Sequence, residues 1–85
     1  MTGPATPLEL VVYGRRDCDL CDEMVEAVLA LAGERVRLRR VEIDDDPELV
    51  RRYSADVPVL CMGEEVVCRH FLDAARLGRL IDAAD

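Results

Sequence analysis

Two cysteines separated by two residues, Cys18-Asp19-Leu20-Cys21, are the residues of this chain best suited to chemistry. A thiolate opens a disulfide by attacking sulfur, and a second thiol three positions along can return to release the product. The pair sits between a short apolar run, residues 8–13, and a stretch of helical spacing. A helix N-terminus offers unpaired N–H groups and the positive end of its dipole, and both favour an anion. If the helix starts near Asp19, Cys18 lies at its exposed cap and Cys21 a turn inside. Cys18 is then the expected attacking residue and Cys21 the resolving one.

The flanking sequence supplies the elements that would hold such a pair. Residues 8–13, Leu-Glu-Leu-Val-Val-Tyr, form a β-favouring run expected of a central strand covered on both faces. Residues 14–17 follow as a loop at the site. From Cys21 onward, Met24, Val25, Val28, Leu29, Leu31 and Ala32 have the spacing of one helix face, with Gly33 as the stop. Residues 36–44 alternate less cleanly, Val36 and Leu38 on one parity and Val41 and Ile43 on the other. That predicts an edge strand with a bulge, or one covering only the second half. Asp44-Asp45-Asp46-Pro47 offers a cap and a proline for the first turn of a short helix through Tyr53. Residues 57–62 and 65–69, joined at Gly63-Glu64, read as a hairpin. Asp73 is placed to cap a last helix with Leu77, Leu80, Ile81 and Ala84 on one face. The order is β-α-β-α-β-β-α, an α/β domain over residues 8–85 behind a flexible leader, residues 1–7.

Composition narrows the setting. Eighty-five residues, just over half of them hydrophobic and only three aromatic, make one small domain with a core of Val, Leu, Ile and Ala. A net charge of −7 argues against nucleic acid as a general partner, since neutralising phosphates needs a basic face. No signal-like leader and no run of about 20 apolar residues is present, so a cytoplasmic chain without membrane contact is expected. In a reducing compartment the four cysteines point to catalysis or metal binding rather than to structural staples. All eleven basic residues are Arg, and Lys, Asn, Gln and Trp are absent, a bias expected of a GC-rich bacterial genome.

Pro58 is the second chemical signal. About forty residues after the dithiol, at the start of a strand, it suits a cis X-Pro bond that would set the Val57 backbone beside Cys18 as an open edge for substrate. Cys61 and Cys68 read first as small buried side chains. A second redox pair or a metal site is the lesser reading, because the paired C-x-x-C knuckles of zinc ribbons are missing. A tight turn at Gly63-Glu64 would set Cys61 opposite Val66, with Cys68 two residues on along the same face; a longer loop would set the two cysteines directly opposite. His70 and the arginine pairs read as surface or cap residues, and Tyr13 and Tyr53 as packing.

Taken together, residues 11–15 before Cys18-Asp19-Leu20-Cys21, then Asp56-Val57-Pro58-Val59-Leu60, the Gly63 hairpin and the helix from Asp73 resemble the thioredoxin superfamily, and its small glutaredoxin-like members most of all. The resemblance covers nearly everything after Pro7. It implies a four-stranded mixed sheet flanked by three helices, and thiol-disulfide exchange at Cys18 with glutathione as the reductant of glutaredoxins proper. It also places Arg15 at the family's basic position near the dithiol, and Asp73 where the family has an acidic residue. Asp19-Leu20 stands in place of Pro-Tyr, Asp56 in place of Thr, and the Gly-Gly-Asp turn before the last helix is missing.

These readings give a small thiol-disulfide oxidoreductase with no tightly bound cofactor and no metal. Its partner is expected to be a disulfide-bearing protein or a small thiol, and the chain itself a monomer. A redox-regulated or degenerate protein-docking module and a metal or iron–sulfur binder are the alternatives. Arg15 and Arg16 favour a Cys18 thiolate while Asp17, Asp19 and Asp22 oppose it, each exposed charge being worth roughly 1 kcal/mol at short range. The expectation is a Cys18 less readily ionised than in typical members.

Overall fold

The computed structural model describes residues 7–84, so that of the predicted leader only Pro7 falls within it. The elements are β1 (Leu8–Gly14), α1 (Asp19–Ala32), β2 (Val36–Glu42), α2 (Pro47–Tyr53), β3 (Val59–Met62), β4 (Glu65–Arg69) and α3 (Ala74–Ala84), with 3-10 turns at Gly33–Arg35 and Ile43–Asp45. They build a four-stranded sheet in the order β2-β1-β3-β4. β1 runs parallel to β2 and antiparallel to β3, and β3 pairs antiparallel with β4. The order and the mixed sheet are those the sequence predicts. None of the described helices is long and apolar enough to cross a membrane.

Local chemistry explains where the helices begin and end. Asp46 caps α2, its carboxylate accepting from the Glu48 N–H at 2.9 Å, with Pro47 in the first turn where its missing N–H costs nothing. Asp73 does the same for α3, accepting from the Arg76 N–H at 3.0 Å. Gly33 ends α1 at φ 53°, a left-handed conformation that favours glycine, and returns its N–H to the Leu29 carbonyl.

Helices lie on both faces of the sheet, giving two cores. On one face Leu10, Val12 and Leu60 meet Met24, Val28 and Ala32 of α1 and Leu77 and Ile81 of α3. On the other, Val59 and Cys61 meet Ile43 and Tyr53, with Tyr13 stacked on Tyr53 at a centroid distance of 4.7 Å. β1 feeds both cores, which is why its sequence is nearly continuous in apolar residues.

Three expectations need correction. β2 carries no bulge and is not half-length: it pairs with β1 at every position from Leu8↔Val36 to Gly14↔Glu42. Its parity switch arises because Val36 and Leu38 pack on the first core, whereas Ile43 lies past the strand and enters the second. The strand is at the sheet edge, as predicted, and its exposed Arg37 and Arg39 discourage pairing with another chain. In α1 the buried stripe is Cys21, Met24, Val28 and Ala32, while Leu29 and Leu31 are 47% and 45% exposed. A helix over one edge of a small sheet buries a narrower face than its apolar residues could fill.

The bulge is in the hairpin instead, between Leu60↔Cys68 and Cys61↔Val66. Cys61 is opposite Val66, as a tight turn requires, but the extra residue turns Cys68 onto the α1–α3 core while Cys61 faces Tyr53. The two free cysteines are on opposite faces of the sheet and are not placed to form a disulfide. Burial pushes both thiols up from their ordinary value, with the Tyr53 hydroxyl, 3.9 Å from the Cys61 sulfur, partly countering it for Cys61. Burial raises Tyr53 as well. An acid raised in the folded state keeps its proton while the unfolded chain releases it, so stability is complete below the unfolded value and falls as pH rises through it. The free energy of unfolding, measured by urea titration, is expected to decline as pH rises past 9.0, the ordinary cysteine value. Cys61→Val should remove part of that decline.

Candidate functional site

The C-terminal end of β1, the N-terminus of α1 and the segment entering β3 converge at the dithiol. Cys18 is the N-cap of α1, with an extended backbone at φ −109° and ψ 104°. Its Sγ accepts the Cys21 N–H at 3.1 Å, and its carbonyl accepts the Asp22 N–H at 3.1 Å. The sulfur thus takes the place that a Ser or Asp oxygen holds in most caps. The two sulfurs are bonded to one another, with Cα atoms 5.2 Å apart, inside the usual range for a disulfide. Cys18 is partly exposed and Cys21 is buried.

Gly14 makes this approach possible. A Cβ at position 14 would sit 2.7 Å from the Cys21 sulfur, closer than real Cβ atoms come. Next to it, the Tyr13↔Val59 pairing sets Pro58 level with Gly14. The Val57-Pro58 bond is cis, Pro58 is buried, and its carbonyl accepts the His70 N–H at 2.8 Å. His70 has φ 66°, and the Phe71 N–H bonds back to the Arg69 carbonyl at 2.7 Å across it. This turn fixes the loop before α3 against the Val57-Pro58 edge. A groove of 280 Å³ lies between that loop and α1, lined by Leu20, Glu23, Met24, Ala27 and residues 70–72. Phe71, 69% exposed, stands at its edge.

The charges near the dithiol are mostly committed elsewhere. Arg15 pairs with Asp44 at 3.3 Å and Arg16 with Asp45 at 3.4 Å, which gives the first two acids of the Asp run their role. Asp22 pairs with Arg40, and Asp56 with Arg69 at 3.5 Å, with His70 Nε2 4.0 Å from it. Asp17 and Asp19 carry no ion pair among the described residues. The acid-base balance foreseen at Cys18 is therefore carried by fewer free charges than the sequence suggests.

Of the residues singled out from sequence, Cys18, Cys21, Val57 and Pro58 come together. Arg15 flanks them with its guanidinium turned to Asp44, and Asp73 spends a carboxylate oxygen on the first turn of α3. Arg51 pairs with Glu48 on its own helix. Sequence reading did not single out Gly14 or Arg40. By sequence Arg40 reads as a solvating arginine, yet its side chain is only 28% exposed and its Nη2 donates to the Arg15 carbonyl at 2.7 Å. The available signal was parity: Arg40 shares the face of Val36 and Leu38. Among the described residues, no group of three or more His, Cys, Asp or Glu side chains could hold a metal ion.

A dithiol at the N-terminus of the first helix, beside a cis-proline on a four-stranded mixed sheet with three helices, defines a thioredoxin-superfamily protein. The family model described as glutaredoxin-like domain (DUF836) matches residues 9–82, and the chain belongs to that family. Among solved structures, protein Ne2328 from Nitrosomonas europaea is 36% identical, with a TM-score of 0.82 over 94% of this chain and 98% of its own. Protein XcR50 from X. campestris is 42% identical, with a TM-score of 0.70 over 89% of this chain and 99% of its own. A buckwheat glutaredoxin, solved as a glutathione complex, shares the fold at 20% identity and a TM-score of 0.59, over 88% of this chain and 74% of its own. No protein of curated function matches the chain.

The close contact at Gly14 gives a direct test of the site's packing. Gly14→Ala must displace Cys21 or the end of β1, since both the Sγ and the Cβ of Cys21, at 2.7 and 3.1 Å, crowd the new methyl. Urea unfolding of the oxidised protein should show a loss of about 1–3 kcal/mol.

Proposed function

We propose that this chain is a thiol-disulfide oxidoreductase in which Cys18 is the nucleophile and Cys21 the resolving residue. The observation that carries the reading is the position of the Cys18 sulfur, at the cap of α1, accepting the Cys21 N–H at 3.1 Å while bonded to the Cys21 sulfur. That amide and the helix dipole favour a thiolate on Cys18 once the disulfide is reduced. The partly exposed sulfur can reach an incoming disulfide, whereas the buried one is shielded from it.

In the reducing direction the Cys18 thiolate attacks one sulfur of the substrate. A bond forms between that sulfur and Cys18, the substrate disulfide breaks, and the first substrate thiolate leaves with the electron pair. Cys21, as thiolate, then attacks Cys18 Sγ, the second substrate thiolate departs, and the protein is left with its own disulfide. Two electrons pass from the dithiol to the substrate, and an external thiol, glutathione among the candidates, restores the reduced form. In this reading the substrate chain lies along the Val57-Pro58 edge. Support for the reading comes from the family match together with the dithiol geometry; the substrate is a disulfide, carried by a protein or formed by a small thiol.

The test is intact mass of the reduced protein across a glutathione redox titration, repeated with Cys21→Ser. The wild type is expected to lose two hydrogens with a single midpoint, and the variant to hold one glutathione on Cys18. No oxidation of the pair and no adduct in the variant would overturn the glutathione-linked reading.

A further inference from the structure

Reduction leaves Cys21 with a problem that its surroundings bear on. It is fully buried, and burial in apolar surroundings disfavours the thiolate that the resolving step needs. β1 contributes no charge at this point, only Gly14. Across the bare Cα of Gly14 lies Arg40: the Cys21 sulfur and the Arg40 Nε both fall within 4.0 Å of the point where a Gly14 Cβ would be. The guanidinium is held there by its other nitrogens, Nη1 to Asp22 of α1 and Nη2 to the Arg15 carbonyl at 2.7 Å. Its Nε–H is buried and without a hydrogen bond, although it is ion-paired with Glu42 Oε1 at 3.5 Å, and Glu42 Oε2 is likewise buried without a hydrogen bond. A buried donor left without a hydrogen bond is costly, and here it belongs to a cation that flanks, with the resolving sulfur, the space a Gly14 side chain would fill.

We infer that Arg40 is a positioning residue for the resolving step: through the gap left by Gly14 its guanidinium stabilises the Cys21 thiolate while Cys18 is joined to substrate. The inference rests on the oxidoreductase reading above. In that step the Cys21 thiol gives its proton to solvent, the Cys21–Cys18 bond forms, the Cys18–substrate bond breaks, and the electron pair leaves on the substrate sulfur. The charges around Cys21 are Arg40 and Glu42 from β2, Asp22 from α1, Arg15 from the loop between β1 and α1, and its partner Asp44 from the turn after β2. Asp22 and Glu42 compete with the thiolate for Arg40, so removing Asp22 should free the cation for sulfur.

The experiment is a single turnover of the reduced protein with glutathione disulfide, acid-quenched and read by intact mass, for the wild type, Arg40→Gln, Arg40→Lys and Asp22→Asn at several pH values. Each unit of rise in the Cys21 pKa removes about tenfold of thiolate and returns about threefold in nucleophilicity, so one to two units slow resolution by about three- to tenfold. In Arg40→Gln the Cys18 adduct is expected to form within about twofold of the wild-type rate and to decay about three- to tenfold more slowly, with its pH midpoint moved up. Arg40→Lys should restore most of the rate, and Asp22→Asn should quicken decay. Unchanged decay and midpoint in Arg40→Gln, or equal slowing of formation and decay, would overturn the inference. If Arg40→Gln does not fold by circular dichroism, the Asp22→Asn rate decides it alone, an unchanged decay overturning it. Absence of any adduct in Cys21→Ser run alongside would instead overturn the glutathione-linked reading of the proposed function.

Discussion

The structure depends on how closely α1 can approach the end of β1. Gly14 has no side chain, and the Cys21 sulfur occupies the space one would need. That contact sets the depth of the first turn of α1, so that Cys21 is buried and Cys18, three residues earlier, remains at the rim as the cap. The difference in exposure between the two sulfurs, on which the assignment of attacker and resolver rests, is a consequence of one missing methyl group. The rest of the first core extends that contact: Met24, Val28 and Ala32 continue the stripe of Cys21 onto the sheet, and α3 closes it with Leu77 and Ile81.

Charge pairing then tunes what packing has placed. The β1–α1 loop is tied to the turn after β2 by Arg15–Asp44 and Arg16–Asp45, and α1 is tied to β2 through Asp22–Arg40. Exposed pairs of this kind contribute little to stability, with a median of about 0–1 kcal/mol. Their importance here is local: they decide which charges remain free near the dithiol. On the other side, Asp56 is engaged by Arg69, so an acid that would repel an anionic ligand is partly neutralised beside the Val57-Pro58 edge.

Much of this was legible in the sequence because it is written locally. The C-x-x-C pair, the caps at Asp46 and Asp73, the Pro47 start and the Gly33 stop each act over a few residues, and the helices and strands follow them. The cis bond at Pro58 was readable only in combination with the dithiol. What escaped the sequence is set by partners far along the chain. The exposure of Leu29 and Leu31 depends on how much sheet lies under α1, and the bulge that separates Cys61 from Cys68 depends on strand pairing. Arg40 looks like a solvent-facing arginine until β2 is paired with β1 and its neighbour across Gly14 becomes Cys21.

The central claim is that the cap sulfur is the reactive one and its partner is protected. It is tested most directly by alkylating the reduced protein with a limiting amount of iodoacetamide and mapping the modified cysteine by peptide mass. The account predicts modification of Cys18 first, with Cys21 and Cys61 reacting only once the protein is unfolded. Modification of Cys21 ahead of Cys18, or at an equal rate in the folded protein, would contradict it.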